Sequence, residues 1–113
     1  MSRMSEQLRI EDVPDRNRFE TRVDGIAAEV EYRVEGDTLR LIHTNVPEEL
    51  EGRGVGSRLA RFALEEARRR RLRVWPDCPF VAAYIRRHPE YLDLVHTDFP
   101  RRAELERGAG EAG

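Results

Sequence analysis

The amino-acid sequence predicts an α+β fold in which an antiparallel meander of three strands is followed by a βαβ unit and a second helix. Two patterns support this prediction. Apolar and polar residues alternate through much of residues 19–46, which is the period of half-buried strands. Apolar side chains then recur every three to four positions over residues 55–71, as on one face of a helix. A strand follows that helix, and such a crossover normally joins parallel strands with a right-handed connection.

Length and composition limit the classes of protein to be considered. The 113 residues suit one domain with a modest core. A net charge of −2 argues against nucleic acid as the general partner. We find no apolar run suited to a membrane span or a secretory signal, and we therefore expect a cytoplasmic protein. The single cysteine excludes an intramolecular disulfide, and we predict no metal site.

The meander is predicted from its alternation and its turns. Residues 1–18 show no sustained period and are predicted to be a flexible segment before a domain at 19–99. A first strand runs from Phe19 to a hairpin turn at Asp24-Gly25. The second strand, residues 26–35, alternates strictly, which indicates one face on a core and one in water.

The third strand, residues 38–46, is predicted to be more central. Leu39, Leu41 and His43 should share one face, and Ile42, Thr44 and Val46 the other. Because both faces are partly apolar, we expect this strand to be covered on both sides.

The second half of the chain predicts the βαβ unit and its continuation. A helix from Val55 to about Arg71 leads into a short strand, Leu72 to Trp75, parallel to the third strand. Asp77-Cys78-Pro79 opens a second helix, because either of its first two residues can cap it and proline suits a first turn. Residues 100–113 are predicted to be a disordered tail.

Three glycines alternate with larger residues where the third strand stops and the helix begins, at Gly52, Gly54 and Gly56. Such a turn brings backbone N–H groups close to a ligand without intervening side chains. The following helix N-terminus adds unpaired donors and a partial positive charge. The stretch therefore predicts an anion cradle, and phosphate is the usual anion.

The run from Glu51 to Gly56 also resembles the acetyl-CoA pyrophosphate loop of the GNAT-superfamily acetyltransferases, which usually reads Gln/Arg-x-x-Gly-x-Gly/Ala. Three further motifs are similar, in order, to the short YjdJ-type N-acetyltransferases: His43-Thr44-x-Val46, Cys78-Pro79-Phe80-Val81, and Tyr84-Ile85-x-x-His88-Pro89-Glu90-Tyr91. The resemblance covers residues 19–95 and implies a reduced GNAT fold that binds acetyl-CoA. Glu51 departs from the pattern, and we expect its carboxylate to point away from the phosphates.

The resemblance implies a set of coenzyme A contacts. Backbone N–H groups from the loop and first helical turn should bind the pyrophosphate, namely those of Arg53, Gly54, Val55, Gly56 and Ser57. The guanidiniums of Arg53 and Arg58 are available to the same phosphates. The end of the third strand, Thr44, Asn45 and Val46, should run along the pantetheine as an added strand would.

Cys78, His43 and Tyr84 are the candidate catalytic residues. A lone cysteine is usually a small buried hydrophobe. Cys78, however, follows the last βαβ strand at a helix N-terminus, which favours thiolate, while the neighbouring Asp77 opposes it. Cys78 is a candidate to accept the acetyl group, to contact the thioester, or to form a mixed disulfide with coenzyme A.

His43 is either a core histidine or a general base. Tyr84 is a candidate to reprotonate the departing thiolate, whereas Tyr91 should pack. The arginine run from Arg68 to Arg73 invites a nucleic-acid interpretation, but Glu65 and Glu66 precede it at helix-pairing spacing, which favours a solvated face.

The resulting prediction is transfer of acetyl from acetyl-CoA to an amine or thiol on a small-molecule or peptide acceptor. We expect a monomer or weak homodimer, without nucleic acid or membrane as a partner. The resemblance implies an open acceptor side, because the segments that shape it in longer GNAT domains are missing or very short here. The alternative is a CoA or acyl-CoA binding module with little or no catalysis.

Overall fold

Five strands form one sheet in the computed structural model, which describes residues 8–110. They follow the chain in order across the sheet: β1 (Glu11–Val13), β2 (Arg18–Val23), β3 (Ile26–Glu35), β4 (Thr38–Asn45) and β5 (Arg73–Pro76). Neighbours up to β4 are antiparallel, whereas β4 and β5 are parallel. The α+β class, the meander and the βαβ unit are therefore confirmed.

Three helices follow the meander: α1 (Val55–Arg69), α2 (Pro79–Arg87) and α3 (Arg102–Gly110). Short 3₁₀ turns lie at Pro14–Arg16, Glu48–Leu50 and Pro89–Leu94. Helix α1 is the crossover between β4 and β5, and it packs against four strands of the sheet, from β2 to β5. Cys78 occupies the N-cap of α2 and Pro79 its first turn, as the sequence predicts.

The first hairpin turn has the backbone that its sequence indicates. Asp24 and Gly25 both adopt positive φ, 53° and 80°, which is the type I′ geometry that suits the twist of β2 and β3. Aspartate and glycine are among the few residues that enter this conformation readily.

The two faces of the sheet differ sharply in polarity. One face contributes fully buried side chains to the core, among them Phe19, Val30 and Leu41, and α1 adds Leu59 and Leu64. The opposite face carries charged side chains that are partly or largely exposed: Arg18, Glu20, Glu29, Glu31 and Arg33. We call this second surface the open face. Strand β4 lies inside the sheet, but the face of this strand that carries Arg40 and His43 is not buried. The expectation that β4 is covered on both faces is therefore wrong.

A β-bulge in β4 reverses the predicted orientation of two side chains. Tyr32 pairs with Leu41, but Glu31 pairs with His43, so Ile42 has no residue opposite it. One extra residue changes the parity of the strand. Thr44 therefore joins Leu41 on the core side, while His43 turns to the open face. The prediction that Leu41 and His43 share a face is wrong, because simple alternation contains no signal for the inserted residue.

Secondary structure extends into residues 11–18 and 102–110, where the sequence predicts flexibility. Asp12 in β1 accepts a hydrogen bond from the Tyr32 hydroxyl at 2.5 Å and one from Arg70 at 2.7 Å. In α3, Leu105 is buried, and Arg102 donates to the backbone oxygens of Leu92 and Val95. The folded part therefore extends beyond 19–99 on both sides, and the predicted tail is wrong for α3. Residues 1–7 and 111–113 lie outside the described residues.

Replacing Leu105 with alanine tests whether α3 is part of the fold. The side chain is only 2% exposed, and truncating a buried leucine typically costs about 2–5 kcal/mol. We expect a loss of about 2 kcal/mol, seen as a urea midpoint lowered by about 1 M. Ala103→Ser, at an exposed position of the same helix, is the control. Equal midpoints for the two variants would show that α3 does not dock.

Candidate functional site

The loop between β4 and α1 is shaped by its glycines. Gly52 and Gly54 have φ of 81° and 80°, a left-handed backbone that larger residues resist. Leu50, fully buried, anchors the preceding turn in the core. The loop is therefore held at one end while its glycines turn the backbone sharply into α1.

The N-terminus of α1 presents unpaired backbone donors. Gly54 is the N-cap residue, and no side-chain hydrogen bond from it caps the first N–H groups of the helix. The first backbone bond of the helix joins Arg58 N–H to Gly54 O at 3.1 Å. Within residues 8–110, the N–H groups of Val55, Gly56 and Ser57 have no backbone acceptor, as expected for a first turn. The first turn also contains no acidic residue, so its partial positive charge is not offset there.

A cavity of about 540 Å³ lies in front of these donors. We call it the loop cavity. It is bounded by β4, by the glycine loop, by the start of α1 and by α2, through these residues: Thr44, Val46, Leu50, Glu51, Gly52, Gly54, Val55, Gly56, Ser57 and Phe80.

Six of the nine predicted binding residues line the loop cavity, namely Thr44, Val46, Gly54, Val55, Gly56 and Ser57. The other three, Asn45, Arg53 and Arg58, do not. Arg53 forms an ion pair with Asp24 at 3.5 Å. Glu51 also lines the cavity, and the expectation that its carboxylate points away from the phosphates stays a prediction.

Phe80 is a cavity residue whose role sequence reasoning missed. A methyl group built on Gly56 would lie 2.7 Å from Phe80 Cζ, so the aromatic ring occupies the space that only glycine leaves. The ring is nevertheless 38% exposed. The available signal was a glycine at the second position of a helix pattern, followed later by an aromatic residue in a second helix. The contact itself depends on the packing of α1 on α2.

The end of β4 has a free edge beside the loop cavity. Strand β5 pairs only as far as Leu41, and the last bond on this side runs from Cys78 N–H to Leu41 O at 2.9 Å. Beyond it, residues 42–45 have no strand on this side within the described chain. Such an edge can hydrogen-bond an extended ligand as a further strand would.

Cys78 lies behind the cavity wall. Its side chain is 2% exposed, and Sγ lies 3.0 Å from the hydroxyl of Thr44, which lines the cavity. The adjacent Asp77 carboxylate is bound by Arg40 at 2.6 Å, so its charge is paired. The structure thus brings Cys78 to the predicted region, in contact with a cavity residue and not itself lining the cavity.

The other two candidate catalytic residues lie apart from Cys78. His43 is exposed on the open face, opposite Glu31. Tyr84 is buried, its ring stacks on His88 at 4.1 Å, and burial raises the pKa of the phenol. It does not line the loop cavity, so its predicted role in proton transfer has no support from position.

Tyr91 has the packing environment expected of it. Its hydroxyl donates to Glu65 at 2.6 Å. Burial is the larger cause and this hydrogen bond the second, and together they raise the pKa of Tyr91 to about 12.

Three consecutive arginines of the run, Arg68 to Arg70, form ion pairs within the protein. Arg68 binds Asp93 at 2.9 Å, and Arg70 binds Asp12 at 2.7 Å. Hydrogen bonds from Arg69, the larger contribution, and from Arg70 hold the pKa of Glu66 below its usual value. These contacts favour the predicted solvated helix face over a nucleic-acid site.

Comparison with known proteins decides the family. A family model described as GCN5-related N-acetyl-transferase matches residues 18–94. The chain belongs to this family. It therefore falls among acyl-transferring enzymes, and the predicted acetyltransferase class is confirmed. The narrower YjdJ-type assignment stays a prediction.

Relatives and a solved structure agree with this assignment. Protein NATD1 of Danio rerio is 30% identical over 97 residues, which cover 81% of this chain and 88% of that protein. Protein NATD1 of Xenopus tropicalis is 30% identical over 96 residues, covering 80% and 88%. The NMR solution structure of a GCN5-like protein from Staphylococcus aureus superposes with a TM-score of 0.63 at 30% identity, covering 79% of this chain and 88% of that one.

Helices long and apolar enough to cross a bilayer are absent from residues 8–110.

Proposed function

We infer that the protein binds acetyl-CoA in the loop cavity and transfers its acetyl group to an amine. One observation supports this most strongly: the cavity joins unpaired N–H groups at the start of α1 to the free edge of β4. The first feature suits a pyrophosphate and the second suits an extended amide-bearing chain. Coenzyme A contains both, in sequence.

The residues present fit that ligand. The backbone N–H groups of Val55, Gly56 and Ser57 would bind the pyrophosphate, and that of Gly54 would extend the set. The N–H of Arg53, also predicted to bind it, instead donates to the backbone oxygen of Leu50 at 3.3 Å. An added methyl at Gly52 or Gly54 would meet nothing within 4 Å, so the backbone there faces free space. The pantetheine would lie along Thr44 to Val46, and Asn45 and Arg58 would stand at the margins of the site.

The chemistry follows from the geometry of β4. A neutral amine attacks the thioester carbonyl carbon, a C–N bond forms, and the C–S bond breaks to release coenzyme A as its thiolate. The nitrogen loses one proton, and we assign its acceptance to His43, because the bulge turns His43 to the open face where an amine can approach. Backbone N–H groups near Val46 would polarise the carbonyl oxygen.

The environment of Cys78 favours direct transfer over an acyl-cysteine. Cys78 is only 2% exposed, and its thiol contacts the Thr44 hydroxyl. We therefore assign Cys78 the role of positioning Thr44. Cys78→Ala should keep turnover within about tenfold of the native protein, whereas loss of a covalent nucleophile typically costs several orders of magnitude.

A mass measurement separates the two routes independently. All 20 basic residues are arginine, so no lysine can accept acetyl nonspecifically. After incubation with acetyl-CoA we expect an unchanged protein mass. If the protein instead gains the mass of one acetyl group, and this gain is lost in Cys78→Ala but kept in the other variants, the acyl-cysteine route is established and direct transfer is contradicted.

Turnover tests the function itself. Acetyl-CoA is incubated with the full chain and a panel of amines and small thiols, and free coenzyme A is measured with a thiol reagent. We expect acceptor-dependent release. Saturable acetyl-CoA binding, followed through Trp75 fluorescence, without turnover of any acceptor would instead support the alternative of a CoA-binding module.

A further inference from the structure

A second cavity lies on the open face, beside the middle of β4. Its volume is about 270 Å³, and it is lined by Arg33, Glu35, Arg40, Ile42 and Asp77. Ile42 is the bulge residue, and Thr44, two positions further on, lines the loop cavity from the core side. Asp77 precedes Cys78, which contacts Thr44. The second cavity therefore reaches the unpaired stretch of β4 at Ile42, and the loop cavity reaches the same stretch at Thr44 from the opposite face.

Arg33 carries a positive charge in this second cavity that no carboxylate of the described residues pairs with. Arg40 binds Asp77 through Nε at 3.1 Å and Nη2 at 2.6 Å, and it reaches Glu35 at 3.5 Å. Arg33 lies directly opposite Arg40 in the sheet, and like charges at such a cross-strand pair repel. Within residues 8–110, no ion pair includes Arg33. An anionic group on a ligand would relieve this repulsion. It could also accept two parallel hydrogen bonds from the planar guanidinium of Arg33.

The full charge set narrows the class of ligand. Two guanidiniums and two carboxylates line the cavity, and together they are neutral. A phosphate dianion would face Glu35 and Asp77, and a polyamine would face both guanidiniums. A molecule with one positive and one negative group matches the lining best.

We propose that this second cavity is the acceptor site and that it takes a small amine that also carries a carboxylate. The inference rests on the proposed function. Arg33 holds the carboxylate, and the amine is directed to the unpaired end of β4. His43 follows Ile42 and lies on this same face. The bound ammonium first releases one proton to water, which leaves the neutral amine that attacks. The second proton goes to His43 while the acetyl carbon exchanges its bond to sulfur for a bond to nitrogen, and coenzyme A leaves as its thiolate.

Matched acceptors test the carboxylate requirement. The kcat/KM for acetyl-CoA-dependent acetylation is compared among 4-aminobutyrate, n-propylamine (the same molecule without its carboxylate) and 1,4-diaminobutane. We expect 4-aminobutyrate to be preferred by about tenfold or more, because one charge-assisted contact is worth roughly that factor. Arg33→Gln should abolish the preference. Arg22→Gln, an exposed arginine of β2 outside the cavity lining, should leave it unchanged.

Two results would overturn the inference: equal or better use of n-propylamine, or a preference that survives Arg33→Gln. An NMR titration without acetyl-CoA separates this failure from failure of the proposed function. Millimolar 4-aminobutyrate should shift the amides of Arg33, Ile42 and Asp77 in the native protein and not in Arg33→Gln. Shifts without any acetylation would contradict the proposed function and leave the zwitterion site intact, whereas acetylation of other amines without these shifts would contradict the site alone.

Discussion

Gly54→Val is expected to weaken acetyl-CoA binding by about tenfold or more while the sheet remains folded. Gly54 is the N-cap of α1 with φ of 80°, and a β-branched residue is strongly disfavoured there. A left-handed backbone costs an ordinary residue roughly 1–2 kcal/mol. The loop should relieve this strain by turning, which moves the N–H groups of the first turn. Losing even one charge-assisted hydrogen bond to phosphate weakens affinity about tenfold.

Two variants show whether the effect comes from backbone conformation at this site. Gly36→Val introduces a similar strain, at φ of 61°, in the β3–β4 turn away from the loop cavity, and it should lower stability without changing affinity. Gly54→Asn should bind nearly as well as the native protein, because asparagine tolerates positive φ. Affinities measured by calorimetry decide the matter: equal losses in Gly54→Val and Gly36→Val would refute a local role for Gly54.

Gly56→Ala is expected to destabilise the native protein but to stabilise a protein that lacks the Phe80 ring. The added methyl would lie 2.7 Å from Phe80 Cζ, and overpacking of this kind costs about 1–3 kcal/mol. In Phe80→Ala the clash disappears. Alanine then replaces glycine in a helix, which favours folding by about 0.5–1 kcal/mol. The substitution should therefore change sign between the two backgrounds.

A double-mutant cycle measures this coupling. Free energies of unfolding are obtained from urea titration of the native protein, Gly56→Ala, Phe80→Ala and the double variant. Ala82→Gly, placed on α2 outside the Gly56 contact, replaces Phe80→Ala in a control cycle and should give additive effects. Additivity in the Gly56–Phe80 cycle as well would show that the ring does not pack on Gly56.

Local patterns predicted most of the fold because each element has a strong local cause. The alternation of β3, the Asp24-Gly25 turn and the apolar stripe of α1 each depend on neighbouring residues alone. The bulge at Ile42 does not, since it reflects how β4 accommodates β3 on one side and the start of α2 on the other. Helix α3 escaped prediction because Phe99 and Leu105, its buried anchors, are too sparse to form a period within a charged stretch.

In the candidate site, too, the features with a local cause were predicted and those that depend on packing between distant segments were not. The glycine spacing predicted the loop cavity, because positive φ and helix-start geometry are properties of a short segment. Phe80 and the opposite orientations of His43 and Thr44 depend on packing between distant segments. Sequence could therefore propose the donor, while the acceptor side required the three-dimensional arrangement of β3, β4 and Asp77.

An amide NMR titration of the full chain with coenzyme A tests the central claim most directly. We expect saturable shifts concentrated at residues 42–46, the free edge of β4, and at residues 52–58, the glycine loop with its helix start. Gly54→Val should show them only at much higher coenzyme A concentration. Shifts centred on the arginines of α1 from Arg68 onward, or no shifts at millimolar coenzyme A, would contradict a donor site in the loop cavity.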